Sequence, residues 1–201
     1  VRQEIETSEM DLTKQESKEQ DVAIIFTDIV GFTNLSEKMH PREVMQLLSK
    51  YQSLMVDAIF ANNGTVDKFI GDAVMANFGT PQSHGNDAQN AFDCALEMQR
   101  KMVEWNISRR AEGLPEVTHR IGIHCGSCVV GNVGSEQRLE FAVVGDVVNV
   151  ASRICDAGKT IGSDFVISAD LFNRLETNEN FQKIKNFQIR GRKEPIDLMA
   201  R

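Results

Sequence analysis

Two kinds of hydrophobic run organise this chain. Residues 22–33, Val22-Ala23-Ile24-Ile25-Phe26-Thr27-Asp28-Ile29-Val30-Gly31-Phe32-Thr33, are too continuously apolar to alternate. They predict a strand buried on both faces, with Asp28 emerging where the strand stops. Residues 66–76, Val66-Asp67-Lys68-Phe69-Ile70-Gly71-Asp72-Ala73-Val74-Met75-Ala76, predict a hairpin turning at Gly71-Asp72. Between them, Pro41 takes the favoured first position of a helix, and Val44, Leu47, Leu48, Tyr51, Leu54, Met55, Ala58 and Ile59 form its apolar stripe. A second stripe, from Ala88 through Phe92 and Leu96 to Met102, predicts a helix from Asp87 to Arg110, broken by Gly113 and Pro115.

The rest of the chain predicts a strand from Val117 to His124, a strand-turn-strand through Gly126, Gly131 and Gly134, and a helix from Val148 to Ala157. A strand from Asp164 to Ser168, a short helix from Ala169 and terminal strands near Phe187–Ile189 and Ile196–Met199 complete it. Hairpins mixed with helical crossovers predict an α+β domain: a ferredoxin-like, mainly antiparallel sheet with its covering helices on one face.

Composition narrows the picture. With 201 residues, 41% hydrophobic and 25% charged, the chain can bury a full core as one domain. Its first 20 residues are polar and acidic and predict a linker or the end of a signalling helix, leaving 21–201 as the domain proper. A net charge of −7, with no Lys/Arg-rich block, argues against a nucleic-acid partner.

No apolar stretch reaches membrane-spanning length and no signal peptide opens the chain, so a soluble cytoplasmic domain is expected. Its start at Val1 predicts a fragment of a longer protein, with a sensor or anchor upstream and membrane attachment left open. Cys94, Cys125, Cys128 and Cys155 are too few and scattered for a disulfide framework. Cys125 and Cys128 have the C-x-x-C spacing of half a zinc site or of a redox pair, but with no second such pair they read as packing residues.

The candidate chemistry begins with Asp28 and Asp72. Either acid alone reads as a turn former. Together, the strand-end Asp-Ile-Val-Gly-Phe-Thr and the hairpin Lys-Phe-Ile-Gly-Asp, their two acids 44 residues apart, resemble the metal-binding half of the class III nucleotidyl cyclases. A third stretch, Gly145-Asp146-Val147-Val148-Asn149-Val150-Ala151-Ser152-Arg153, resembles the same family's Gly-x-x-Val-Asn-x-Ala-x-Arg helix.

The resemblance implies cyclisation of ATP to 3′,5′-cyclic AMP and pyrophosphate, with two divalent cations, Mg²⁺ or Mn²⁺, as cofactors. Asp28, Asp72 and the Ile29 carbonyl would ligate them, and hard oxygen donors suit such ions. Asn149 would orient the ribose and Arg153 would support the phosphoryl transition state. Arg190 or Arg192 would grip the terminal phosphates. Lys68 stands where adenylate-forming members carry lysine, and Ala142 stands where they place a hydrogen-bond acceptor for the adenine amino group. Asp146, despite its likeness to Asp72, reads as a helix N-cap or turn residue. The resemblance further implies a homodimer with two interfacial sites. A guanylate or dual-substrate cyclase, and a catalytically silent nucleotide-sensing dimerisation module, are the alternatives.

Overall fold

A computed structural model describes residues 17–135, 138–177 and 179–201. The elements are β1 (Lys18–Ile29), α1 (Phe32–Ser36), α2 (Pro41–Ala61), β2 (Thr65–Ile70), β3 (Ala73–Phe78), α3 (Asp87–Ala111), β4 (His119–Ser135), β5 (Arg138–Val144), α4 (Asp146–Ile161), β6 (Phe165–Ser168), α5 (Ala169–Phe172), β7 (Gln182–Phe187) and β8 (Ile196–Ala200). Lys18, Glu19 and Gln20, expected in the leading linker, already belong to β1. Residues 1–16 of that expected linker lie outside the described residues.

Eight strands form one sheet in the order β2-β3-β1-β4-β6-β8-β7, with β5 paired to β4. Only the β4–β6 pair is parallel among the described strands. The α+β, mainly antiparallel architecture thus follows the expectation. The position of the helices does not. Along β1, Ala23 and Ile25 pack with α2 and α3 residues such as Tyr51, Met55, Phe92 and Met98, whereas Val22, Ile24 and Phe26 pack with Val147, Ala151 and Cys155 of α4. Alternate side chains of a strand point to opposite faces, so α4 covers the face opposite α2 and α3. The sheet is a middle layer, which is why β1 has to be apolar on both sides.

The predicted strand-turn-strand around Gly126 is also replaced. β4 runs unbroken for 17 residues, pairing along its length first with β1 and then with β5. Its glycines serve close packing. A Cβ at Gly122 would sit 2.3 Å from the Cys155 nitrogen of α4, and one at Gly126 would lie 3.6 Å from Val147 of the same helix. A side chain at Gly122 would lift α4 off the sheet, whereas a Cβ at Gly126 would make only ordinary contact with the helix.

Helix α2 begins with a capping box: the His40 ring accepts from the Arg42 amide while the Glu43 carboxylate accepts from the His40 amide. Cys125 and Cys128 are buried on opposite faces, one in each hydrophobic layer, so their thiols cannot share a metal. The packing reading of both holds.

Candidate active site

Asp28 and Asp72 come together through sheet pairing. β1 lies between β3 and β4, and its register, Thr27 opposite Val74 and Asp28 opposite Arg120, carries the end of β1 alongside the β2–β3 turn. Gly71 takes φ +63 in that turn, a left-handed conformation that favours glycine, and the chain then presents Asp72 toward β1. The Asp72 Oδ2 accepts a hydrogen bond from the Ile29 amide at 3.0 Å. The hairpin carboxylate is thereby tied to the residue that follows Asp28.

Asp28 is half-buried, and its Oδ1 lies 3.4 Å from Nη1 of Arg120, its direct cross-strand neighbour. Arg120 was not singled out by sequence reasoning, because it lies 92 residues away and only the β1–β4 register brings it there. Burial pushes the Asp28 carboxyl up to about 6; Arg120 pulls it down and the charge of Asp72 raises it further. Two carboxylates are thus held close with one guanidinium paired to Asp28. Among the described residues no cluster of three or more His, Cys, Asp or Glu side chains could hold a metal. A two-carboxylate, all-oxygen donor set fits Mg²⁺ or Mn²⁺, which complete their coordination with water and substrate phosphates. It does not fit a closed zinc cage.

The raised carboxyl has a stability consequence. An unfolded Asp ionises near 3.9, so between about pH 4 and 6 the folded state holds a proton that the unfolded state has lost. Asp28 therefore adds a cost to the metal-free fold that is absent at low pH and fully present above about pH 6. Asp28→Asn should melt higher than the parent protein in EDTA at pH 7.5, by about 2–4 °C for each kcal/mol of repulsion relieved. The difference should vanish near pH 4. A variant that melts lower at pH 7.5 would contradict the strained-carboxylate reading.

Asn149 and Arg153 lie one turn apart on α4, Asn149 exposed and Arg153 half-buried. The Arg153 guanidinium packs against the turn at Gly191 (φ +79), where an added Cβ would sit 3.2 Å from its Nη1. The same cleft is lined by Arg190, Gln188 and Asp156. Arg192 instead pairs with Asp146 at 3.7 Å. Of the two basic candidates, Arg190 is the one brought beside Arg153. Ile189, expected in a strand, lies beyond the end of β7 with its side chain buried in the core under α4. Asp146 is corrected as an N-cap: Gly145 holds that position without a side-chain cap bond, and Asp146 is the first helical residue.

Lys68 is exposed on β2, and Ala142 lies on β5 opposite Gly131. One chain presents the carboxylates at the end of β1 beside Arg120, and Asn149, Arg153 and Arg190 along α4 and the 190–191 turn.

A sandwiched sheet of this topology with paired strand-end carboxylates is that of a nucleotidyl cyclase catalytic domain. The chain belongs to that family, since residues 14–199 match the family model described as adenylate and guanylate cyclase catalytic domain. It is 36% identical over 179 residues to adenylate cyclase 1 of Rhizobium meliloti (strain 1021), covering 89% of this chain and 27% of that protein. To the adenylate cyclase of Anabaena cylindrica it is 37% identical over 184 residues, covering 88% of this chain and 36% of the relative. The chain thus spans about a third of the length of these curated relatives. Among solved structures, the adenylyl cyclase CyaB from P. aeruginosa superposes with a TM-score of 0.84 at 30% identity, covering 92% of this chain and 95% of that one. The guanylyl cyclase Cya2 does so at 0.80 and 33% identity, with 92% of each chain covered.

Proposed function

We propose that this domain is an adenylate cyclase, converting ATP to 3′,5′-cyclic AMP and pyrophosphate at sites shared between two copies of the chain. The observation that carries the proposal is the hydrogen bond from the Ile29 amide to Asp72, which ties the Asp72 carboxylate to the C-terminal end of β1, next to Asp28. Two divalent ions held there would activate the ribose 3′ oxygen and neutralise the departing pyrophosphate. Asp28 and Asp72 would supply carboxylate ligands to them and Ile29 its carbonyl oxygen. Arg120, already paired with Asp28, adds a cation beside the carboxylates. Asn149 orients the ribose, Arg153 faces the charge that develops on the α-phosphate, and Arg190 binds the terminal phosphates.

The dimer is supported by exposed apolar surface. Val129 and Val144, direct partners across β4 and β5, are about half exposed, as are Val133 nearby and Phe69 and Ile70 at the tip of the β2–β3 hairpin. Apolar side chains gathered on exposed hairpins mark an interaction surface. A second copy placed there sets the carboxylates of one protomer against Lys68, Asn149 and Arg153 of the other, making two equivalent sites. A sensor in a longer protein could then regulate turnover by aligning the protomers. Among the described residues no helix is long and apolar enough to cross a membrane.

Lys68 donates to a ring nitrogen of adenine. Ala142 offers no side-chain acceptor to the amino group, and this favours weakened discrimination, with a dual-substrate cyclase as the second reading. Turnover of ATP and GTP, each with Mg²⁺ and with Mn²⁺, tests the proposal: cyclic AMP should be the main product, and a chain making only cyclic GMP would overturn the ATP assignment. Lys68→Glu should depress ATP turnover, and adding Ala142→Cys should raise the GTP-to-ATP ratio further, by on the order of 10-fold or more in total. An unchanged ratio in the double variant would remove Lys68 from base reading.

A further inference from the structure

Adjacent residues of a regular strand point to opposite faces, yet Lys68 Nζ lies 3.2 Å from Oδ1 of Asp67. The β2–β3 register explains how. Val66 faces Ala76 and Lys68 faces Met75, so Asp67 is an extra residue on β2. Such a bulge locally re-aims side chains, and bulges concentrate beside functional sites. The two ends of the pair differ in exposure: the Asp67 side chain is 8% exposed and that of Lys68 is 54% exposed. A carboxylate so covered requires a countercharge, and Lys68 provides it. The lysine, for its part, loses much of the freedom of its four-carbon stem, while its ammonium stays open to the surface with donors to spare.

We infer that Asp67 is a positioning residue for purine recognition: through the bulge and the ion pair it fixes the Lys68 ammonium where the base must meet it. This rests on the proposed reading of Lys68 as the base-reading residue. The role matters in this chain because position 142 is alanine. With no side-chain acceptor there, discrimination falls on the Lys68 donor, and a donor discriminates between ring edges only if it is held in one place. A lysine free to swing would reach the carbonyl of guanine as readily as the ring nitrogen of adenine.

The test is a double-mutant cycle read as the ratio of kcat/KM for ATP to that for GTP, measured in Asp67→Ala, Asp67→Asn, Lys68→Met and Asp67→Ala/Lys68→Met. Each ratio is internal to one protein sample, so partial misfolding does not alter it, and Asp67→Asn keeps nearly the same volume within the bulge. Asp67→Ala and Asp67→Asn should each lower the ratio roughly 5–10-fold, chiefly through a higher KM for ATP with kcat nearly kept. In the Lys68→Met background Asp67→Ala should change the ratio no further, because its effect passes through the lysine. If Lys68→Met shifts the ratio but neither Asp67 variant does, the positioning role is overturned while base reading by Lys68 stands. An equal Asp67 effect in both backgrounds would overturn it too, as an action independent of the lysine. If Lys68→Met leaves the ratio unchanged, base reading by Lys68 falls and the role of Asp67 falls with it.

Discussion

Asp28→Asn and Asp72→Asn are each expected to cut ATP turnover by more than about 10²-fold while the fold persists, the scale on which removal of a principal electrostatic stabiliser acts. Each substitution removes a charge and almost no volume. Asp28 sits at the end of a strand buried on both faces, so the surrounding layers hold the backbone whichever side chain is present. Asp72 Oδ2 accepts from the Ile29 amide, and an asparagine carbonyl can keep that bond, so the hairpin should stay docked on β1. The deficit should therefore appear in turnover and in the concentration of Mg²⁺ needed, not as a lowered melting temperature. Divalent ions should raise the melting temperature of the parent protein and have little effect on either variant. Near-normal cyclic AMP production with Mg²⁺ by either variant would end the two-carboxylate assignment.

Much of the fold is written in local pattern. The five apolar residues before Thr27 require burial from both sides, and β1 is the strand sandwiched between the α2–α3 layer and α4. The stripes of α2 and α3, the Pro41 start and the turn at Gly71 are equally local, and each appears where the pattern puts it. The carboxylates were legible for the same reason, since an acid ending an apolar run and an acid in a hairpin turn are visible without any partner.

What stayed hidden depends on residues far apart in sequence. Gly122 carries no sign of whether it turns the chain or admits a helix, and the neighbour that decides, Cys155, lies on α4. Arg120 looks like any polar residue flanking a strand until β4 pairs with β1 and sets it across from Asp28. The Asp67–Lys68 pair is hidden by periodicity itself: two-residue alternation assigns the side chains to opposite faces, and only the bulge against β3 reunites them. Asp146 misled through composition, because an acid after glycine at a helix start suggests an N-cap, whereas the helix here begins one residue earlier and leaves the side chain to Arg192.

The central claim is that a working site takes its carboxylates from one protomer and its arginine from the other. Two inactive variants test it: Asp28→Asn, which loses the metals, and Arg153→Ala, which loses support for the phosphoryl group. Each alone should be inactive. After mixing in equal amounts and exchange of subunits, half the dimers are hybrids, and each hybrid has one site with both lesions and one with neither. Cyclase activity should then recover to ~25% of the parent value for random pairing in a two-fold dimer. If Asp28 and Arg153 serve the same site within one chain, no hybrid contains an intact site, and activity remaining at the single-variant background after verified exchange would contradict the shared site.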